Sequence, residues 1–247
     1  MDVKKYLDST YLKTPEQAGL TVEENTEVVR LAVAEAIHED FKLIMIRPEM
    51  VVLAREMVVA ANSRLLVGTV IDFPEGRSNL KAKIIEAQAA IENGADDLDF
   101  VCNYTAFKNG EVELVKEEIL EGTRLGLANF KTVKWIIEVA ALTEKEIIQL
   151  SALIKNVVML HFEENQYASV FVKSSTGFYK TKDGKPNGAT LPTITMMIEN
   201  ASPLSIKAAG GVRTFEEAME MISLGVKRIG TSGAKAIADK QSSINEY

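Results

Sequence analysis

Short apolar runs and helix-like stretches alternate about eight times along this chain, a rhythm that few architectures accommodate. The runs are continuous in apolar character, as from Phe41 to Ile46, Arg64 to Ile71 and Thr132 to Val139. Strands of that kind are buried on both faces, as in a parallel sheet covered by helices. The intervening stretches carry helix signals. Thr21 and Thr143 each precede a Glu three residues on, the reciprocal capping pair of a helix start. Pro48 suits a first helical turn, Asn93-Gly94 suits a helix end, and Thr214 caps the stretch to Leu224. Eight such repeats in 247 residues predict an α/β fold, a single-domain (β/α)8 TIM barrel, over an open doubly wound sheet. No Gly-x-Gly-x-x-Gly follows the first run, Val3 to Leu12, which weakens a dinucleotide-binding alternative. The barrel is expected over residues 1–238, with strand eight at Val226 to Ile229 and a polar, mobile tail over 239–247. The least regular stretch, Leu150 to Gln166, reads as helix with a break.

Charge and residue usage narrow the function classes. A net charge of −7 argues against a nucleic-acid or anionic-membrane surface. A phosphorylated metabolite remains compatible, because a few local donors hold a phosphate against an acidic background. Cys102 is the only cysteine, so no intrachain disulfide forms, which fits a reducing compartment. There is no signal-like segment and no apolar run of membrane-spanning length, so a cytoplasmic location is expected. His38 and His161 are the only histidines; a three-histidine metal site is excluded and Cys102 has no partner for a zinc pair.

Two lysines then stand out. Val170-Phe171-Val172 runs straight into Lys173, and Leu204-Ser205-Ile206 into Lys207, each followed by small residues and glycine. They lie 34 positions apart, the length of one strand-helix-strand step. An ammonium directly after such a run points into the barrel mouth or the core, and a buried lysine without a role is rare. Like charges held together lower a lysine's pKa, and the neutral amine is a nucleophile. Lys173 is expected to form a Schiff base that Lys207 tunes.

Asp99 alternates with Leu98 and Phe100 near the end of the fourth run. A carboxylate on an inner strand face is costly unless paired, so Asp99 is expected to pair with the lysines and relay protons. Asp8 repeats the argument on the first run. Asp96 and Asp97 read as solvated or helix-facing. Three glycine-bearing turns, Ser175-Thr176-Gly177, Ala209-Gly210-Gly211 and Gly230-Thr231-Ser232-Gly233, supply bare backbone N–H groups and hydroxyls for an anion. In barrels such a site follows strands seven and eight. Arg213 adds a charge there or caps a helix; Glu138 orients a lysine or satisfies a strand end; Cys102 reads as a small buried apolar residue.

These motifs resemble the deoxyribose-phosphate aldolase family of class I aldolases. The resemblance runs through Leu7-Asp8-Ser9-Thr10, Phe73-Pro74-Glu75-Gly76, Gly94-Ala95-Asp96-Asp97-Leu98-Asp99 and Phe171-Val172-Lys173-Ser174-Ser175-Thr176-Gly177. It continues in Lys207-Ala208-Ala209-Gly210-Gly211-Val212-Arg213 and Arg228-Ile229-Gly230-Thr231-Ser232. It implies reversible cleavage of 2-deoxy-D-ribose 5-phosphate to D-glyceraldehyde 3-phosphate and acetaldehyde. It also implies Lys173 as Schiff-base residue, Lys207 as its perturbing partner, and Asp99 and Asp8 in proton transfer. Thr176, Gly177, Gly210, Gly211, Gly230 and Ser232 then surround the phosphate. Neither metal nor organic cofactor is implied, since the iminium is the electron sink. The expected partner is a small phosphorylated sugar, and family analogy admits a homodimer. Some family members end in a tyrosine on a mobile tail, which makes Tyr247 a further catalytic candidate. Two other readings stay open: a related class I aldolase on another phosphorylated sugar or keto acid, and a non-catalytic barrel that binds a phosphometabolite.

The chain departs from the family pattern at several positions. Ser9 stands where histidine is usual, Met45 where cysteine is frequent, and Gly233 where a second serine is common. The lead into strand six is Tyr167-Ala168-Ser169 instead of Gly-Ala-Asp.

Overall fold

The apolar runs become eight parallel strands that close into a barrel in sequence order. They are β1 (Leu7–Tyr11), β2 (Leu43–Ile46), β3 (Leu66–Ile71), β4 (Asp97–Val101), β5 (Thr132–Ile136), β6 (Val170–Lys173), β7 (Ser205–Ala209) and β8 (Arg228–Thr231). The ring closes where Leu7, Asp8 and Ser9 pair with Ile229, Gly230 and Thr231. The computed structural model describes residues 2–182 and 184–240. Most of the expected tail, with Tyr247, lies outside the described residues. Among those residues no helix is long and apolar enough to cross a membrane.

The helix signals hold. Thr21, Thr143 and Thr214 each form a two-way capping box at the start of Val22–His38, Glu144–His161 and Phe215–Leu224. The irregular stretch is helix to His161, an extended break at Phe162, then a 3-10 turn over Glu164–Ser169. Strand limits differ at both ends of the barrel. The first run opens with a 3-10 turn, Val3–Tyr6, before β1. β8 starts at Arg228 because Val226 is still bound to the preceding helix, its N–H donating to Met221 O across the left-handed Gly225. β7 continues past Lys207, with Ala208 and Ala209 paired to Ile229 and Gly230 of β8.

Successive strand residues face opposite sides, and the two sides of this barrel differ sharply. Outward, Ile44, Val67, Leu98, Val172, Ile206 and Ile229 join the helices in one continuous apolar cluster. Trp135 stacks on Phe100 at 4.8 Å and donates its indole N–H to Thr123 at 3.0 Å. Gly122 makes room for that ring, since a Cβ there would sit 2.8 Å from it. Inward, Leu43, Met45 and Val70 fill the β2–β3 side, and Val101 and Ile136 the β4–β5 side. Beside them lies an ionic cluster: Asp8, Asp97, Asp99, Lys134, Lys173, Lys207 and Arg228, none more than 5% exposed.

Candidate active site

Lys173 is the last residue of β6, and Lys207 is its register partner on β7. Their side chains therefore enter the barrel beside each other. Lys207 sits within its strand rather than at its end, two residues below the rim. Asp99, across the interior on β4, meets both: each Nζ lies 2.9 Å from its Oδ2. Its Oδ1 lies 2.6 Å from Lys134 Nζ. Asp8 on β1 closes the other flank, with Oδ2 2.7 Å from Lys207 Nζ and Oδ1 2.6 Å from Arg228 Nε. Asp97 lies below, 2.7 Å from Lys134 and 3.1 Å from Arg228. Expected to be solvated or helix-facing, Asp97 instead shares Asp99's inner face through their i, i+2 spacing. Asp96 does turn outward, paired with Arg55.

Burial and charge push these groups in different directions. Burial lowers the pKa of Lys173, Asp99 works against it, and Lys207 adds to the lowering; the amine comes down to about 8. Burial likewise opposes the charged form of Lys207, but Asp8 and Asp99 outweigh it and its pKa rises. Burial would raise Asp99, yet Lys134, Lys173 and Lys207 hold it well below the usual carboxylate range. Asp8 is held below that range too, with burial overcome by Arg228 and Lys207. The result is one poised amine among groups fixed in their charged forms.

The β6 rim is held by Glu138, just past β5. Glu138 adopts a left-handed backbone, φ 53°. That turn aims its carboxylate at Ser175 Oγ, 2.8 Å away, and at the backbone N–H of Thr176, 3.1 Å away; the Thr176 hydroxyl also donates to it. Of the two readings for Glu138, the strand-end role is the one its contacts fit. Thr176 is thus turned toward Glu138, and the Gly177 N–H donates to Ser175 Oγ. Gly210 lies against Gly188, where any Cβ would strike Gly210 backbone. Gly230 faces Lys207, whose Cε lies 3.0 Å from where a Cβ would stand. Only Gly211 and Ser232 of the six expected phosphate residues line the neighbouring cavity of about 580 Å³; Lys185, Asn187 and Arg213 line it with them. The Gly233 N–H donates to Thr231 Oγ1.

Opposite this polar flank the mouth is apolar. Phe73 meets Phe178 edge-on at 5.1 Å and lies under the Arg47 guanidinium at 5.0 Å. Its turn is anchored by buried Lys83, which donates to Gly76 O, Val101 O and Glu118. Cys102 is fully buried and burial pushes its thiol well above the ordinary range.

Two buried lysines on one aspartate could arise on unrelated barrels, so full-length similarity decides the family. The chain is 37% identical over 248 residues to the deoxyribose-phosphate aldolase of Staphylococcus saprophyticus, covering all of both chains. It is 35% identical over 240 residues to that of Thermococcus gammatolerans, covering 97% of this chain and 96% of the other. The chain belongs to the deoxyribose-phosphate aldolase family. Solved structures agree with that placement. The deoxyribose phosphate aldolase of Aeropyrum pernix, described as tetrameric, superposes with a TM-score of 0.75 at 27% identity, over 96% of this chain and 89% of that one. The aldolase QR15 superposes at 0.79 and 31% identity, over 97% and 95%. No protein-family model matches the chain.

Three members of the ionic interior escaped the sequence reading as site residues: Lys134, Asp97 and Arg228. The signal was present in each case. Lys134 interrupts Thr132-Val133 and Trp135-Ile136 in the way Asp99 interrupts its own run, at the same desolvation cost.

Proposed function

We propose that this barrel cleaves 2-deoxy-D-ribose 5-phosphate reversibly to D-glyceraldehyde 3-phosphate and acetaldehyde, through a Schiff base on Lys173. The observation that carries the reading is the Lys173 amine, buried at the rim with a pKa near 8 beside Lys207 and Asp99. At neutral pH a usable fraction of such an amine is uncharged and nucleophilic. Lys173 attacks the substrate aldehyde carbon, and loss of water leaves a cationic iminium. Asp99, Lys207 and a water then take the hydroxyl proton from C3. The C2–C3 bond breaks, its electrons flow into the iminium, and glyceraldehyde 3-phosphate leaves. The enamine is protonated at C2 and hydrolysed to acetaldehyde, freeing Lys173. Positioned proton transfer of this type contributes about 10²–10⁴-fold. The electron sink is the iminium, so the scheme needs no metal or organic cofactor.

The site's asymmetry supports the orientation. The phosphate end lies toward the cavity lined by Gly211, Arg213, Ser232 and Lys185. The two-carbon end lies toward the apolar wall of Val70, Phe73, Val101 and Ile136. The test is release of acetaldehyde and glyceraldehyde 3-phosphate from 2-deoxyribose 5-phosphate, against a panel of other sugar phosphates. Turnover of a different sugar phosphate alone would reassign the substrate.

A further inference from the structure

The sealed interior carries an odd charge. Four cations, Lys134, Lys173, Lys207 and Arg228, face three carboxylates, Asp8, Asp97 and Asp99, and all seven are buried. β2 and β3 add only apolar inward groups there, among them Leu43, Met45 and Val70. Glu138, at the rim, hydrogen-bonds Ser175 and Thr176 and makes no ion pair with these cations among the described residues. Unbalanced charge in a dry interior is expensive, and a titratable group relieves it by neutralising.

The contacts decide which group that is. Arg228 does not deprotonate in proteins. Lys207 touches Asp8 at 2.7 Å and Asp99 at 2.9 Å. Lys134 touches Asp97 at 2.7 Å and Asp99 at 2.6 Å. Among the described residues Lys173 has one carboxylate contact, at 2.9 Å, on an oxygen shared with Lys207. It is the least compensated cation of the four.

We propose that Lys134, clamped between Asp97 and Asp99, is a positioning residue that makes Lys173 the interior group to give up its proton. Lys134 occupies Asp99 Oδ1 and draws that carboxylate's charge away from Lys173. Asp97 lies between Lys134 at 2.7 Å and Arg228 at 3.1 Å, so Lys134 is paired on both sides. Lys134 touches no reacting atom in this account; it acts through Asp99. The inference rests on the Schiff-base reading above.

The direction of the effect can be tested with two opposite substitutions. Replacing Lys134 by Met leaves three cations against three carboxylates, so Lys173 keeps its proton and becomes nucleophilic only at higher pH. Replacing Asp97 by Asn leaves four against two, so Lys173 loses its proton at lower pH. The readout is the pH dependence of borohydride trapping with 2-deoxyribose 5-phosphate, with the adduct mapped to Lys173. Lys134→Met is expected to move the midpoint up by about one pH unit or more, Asp97→Asn to move it down, and Lys134→Arg to restore it. Midpoints that stay in place, or that both move the same way, would overturn the proposal. If Lys134→Met does not fold, the sign for Asp97→Asn decides alone. Absence of any Lys173 adduct in the unmodified protein is a separate result, and it would overturn the Schiff-base reading instead.

Discussion

Lys173 and Lys207 are register partners on β6 and β7, and a single oxygen of Asp99 receives both ammonium groups at 2.9 Å. The pair is not symmetric. Asp8 supports Lys207 alone among the two, at 2.7 Å, so Lys207 keeps its proton and Lys173 yields. Lys207→Leu removes the neighbouring positive charge and should raise the Lys173 pKa. Schiff-base formation near pH 7 should slow and recover in alkaline buffer. An adduct formed at the normal rate at pH 7 would show that Lys207 does not tune Lys173.

Asp99 is the hub of the network, with three lysines within 2.9 Å. Asp99→Asn retains the shape and removes the charge that the proposed mechanism uses to move protons. Turnover of 2-deoxyribose 5-phosphate should fall by about 10²–10⁴-fold, with a much smaller change in KM. Steady-state kinetics checks this, and a change confined to KM would assign Asp99 to binding.

The lowered pKa of Lys173 costs stability. Its folded pKa is about 8 against an ordinary 10.5. Between those values the unfolded chain binds more protons, so stability rises with pH across that window, and below pH 8 the full cost is present. Lys173→Met should therefore stabilise the protein near pH 7, by about 3 kcal/mol at most. Urea denaturation at pH 7 and at pH 10.5 measures it, and the gain should shrink at the higher pH.

The phosphate end is predicted to depend on Lys185, which lines the cavity with Arg213 and Ser232. Lys185→Ala should raise KM for 2-deoxyribose 5-phosphate by about fivefold, as expected for one partly solvated charge contact. Activity on unphosphorylated 2-deoxyribose should not change. An equal loss on both substrates would place Lys185 outside phosphate recognition.

The barrel was legible because parallel strands buried on both faces leave unbroken apolar runs, and because Thr21, Thr143 and Thr214 mark helix starts. Lys173, Lys207 and Asp99 were legible for the converse reason: a charge in such a run must be functional or paired. That argument applied equally to Lys134 and Arg228, but which carboxylates they meet is set by strand pairing: Lys134 faces its register partner Asp99 on β4. Arg228 meets Asp97 across 131 positions, a pairing that only the barrel's register creates. The Thr176 hydroxyl was beyond reach for another reason. Its direction depends on Glu138, which a left-handed backbone turn delivers, and no local pattern around Thr176 signals that turn.

Borohydride reduction in the presence of 2-deoxyribose 5-phosphate, followed by peptide mass mapping, tests the central claim most directly. A single stable adduct on Lys173, lost in Lys173→Met and retained at a reduced rate at pH 7 in Lys207→Leu, is the predicted result. An adduct on Lys207 in the unmodified protein, or none on any lysine, would contradict the account.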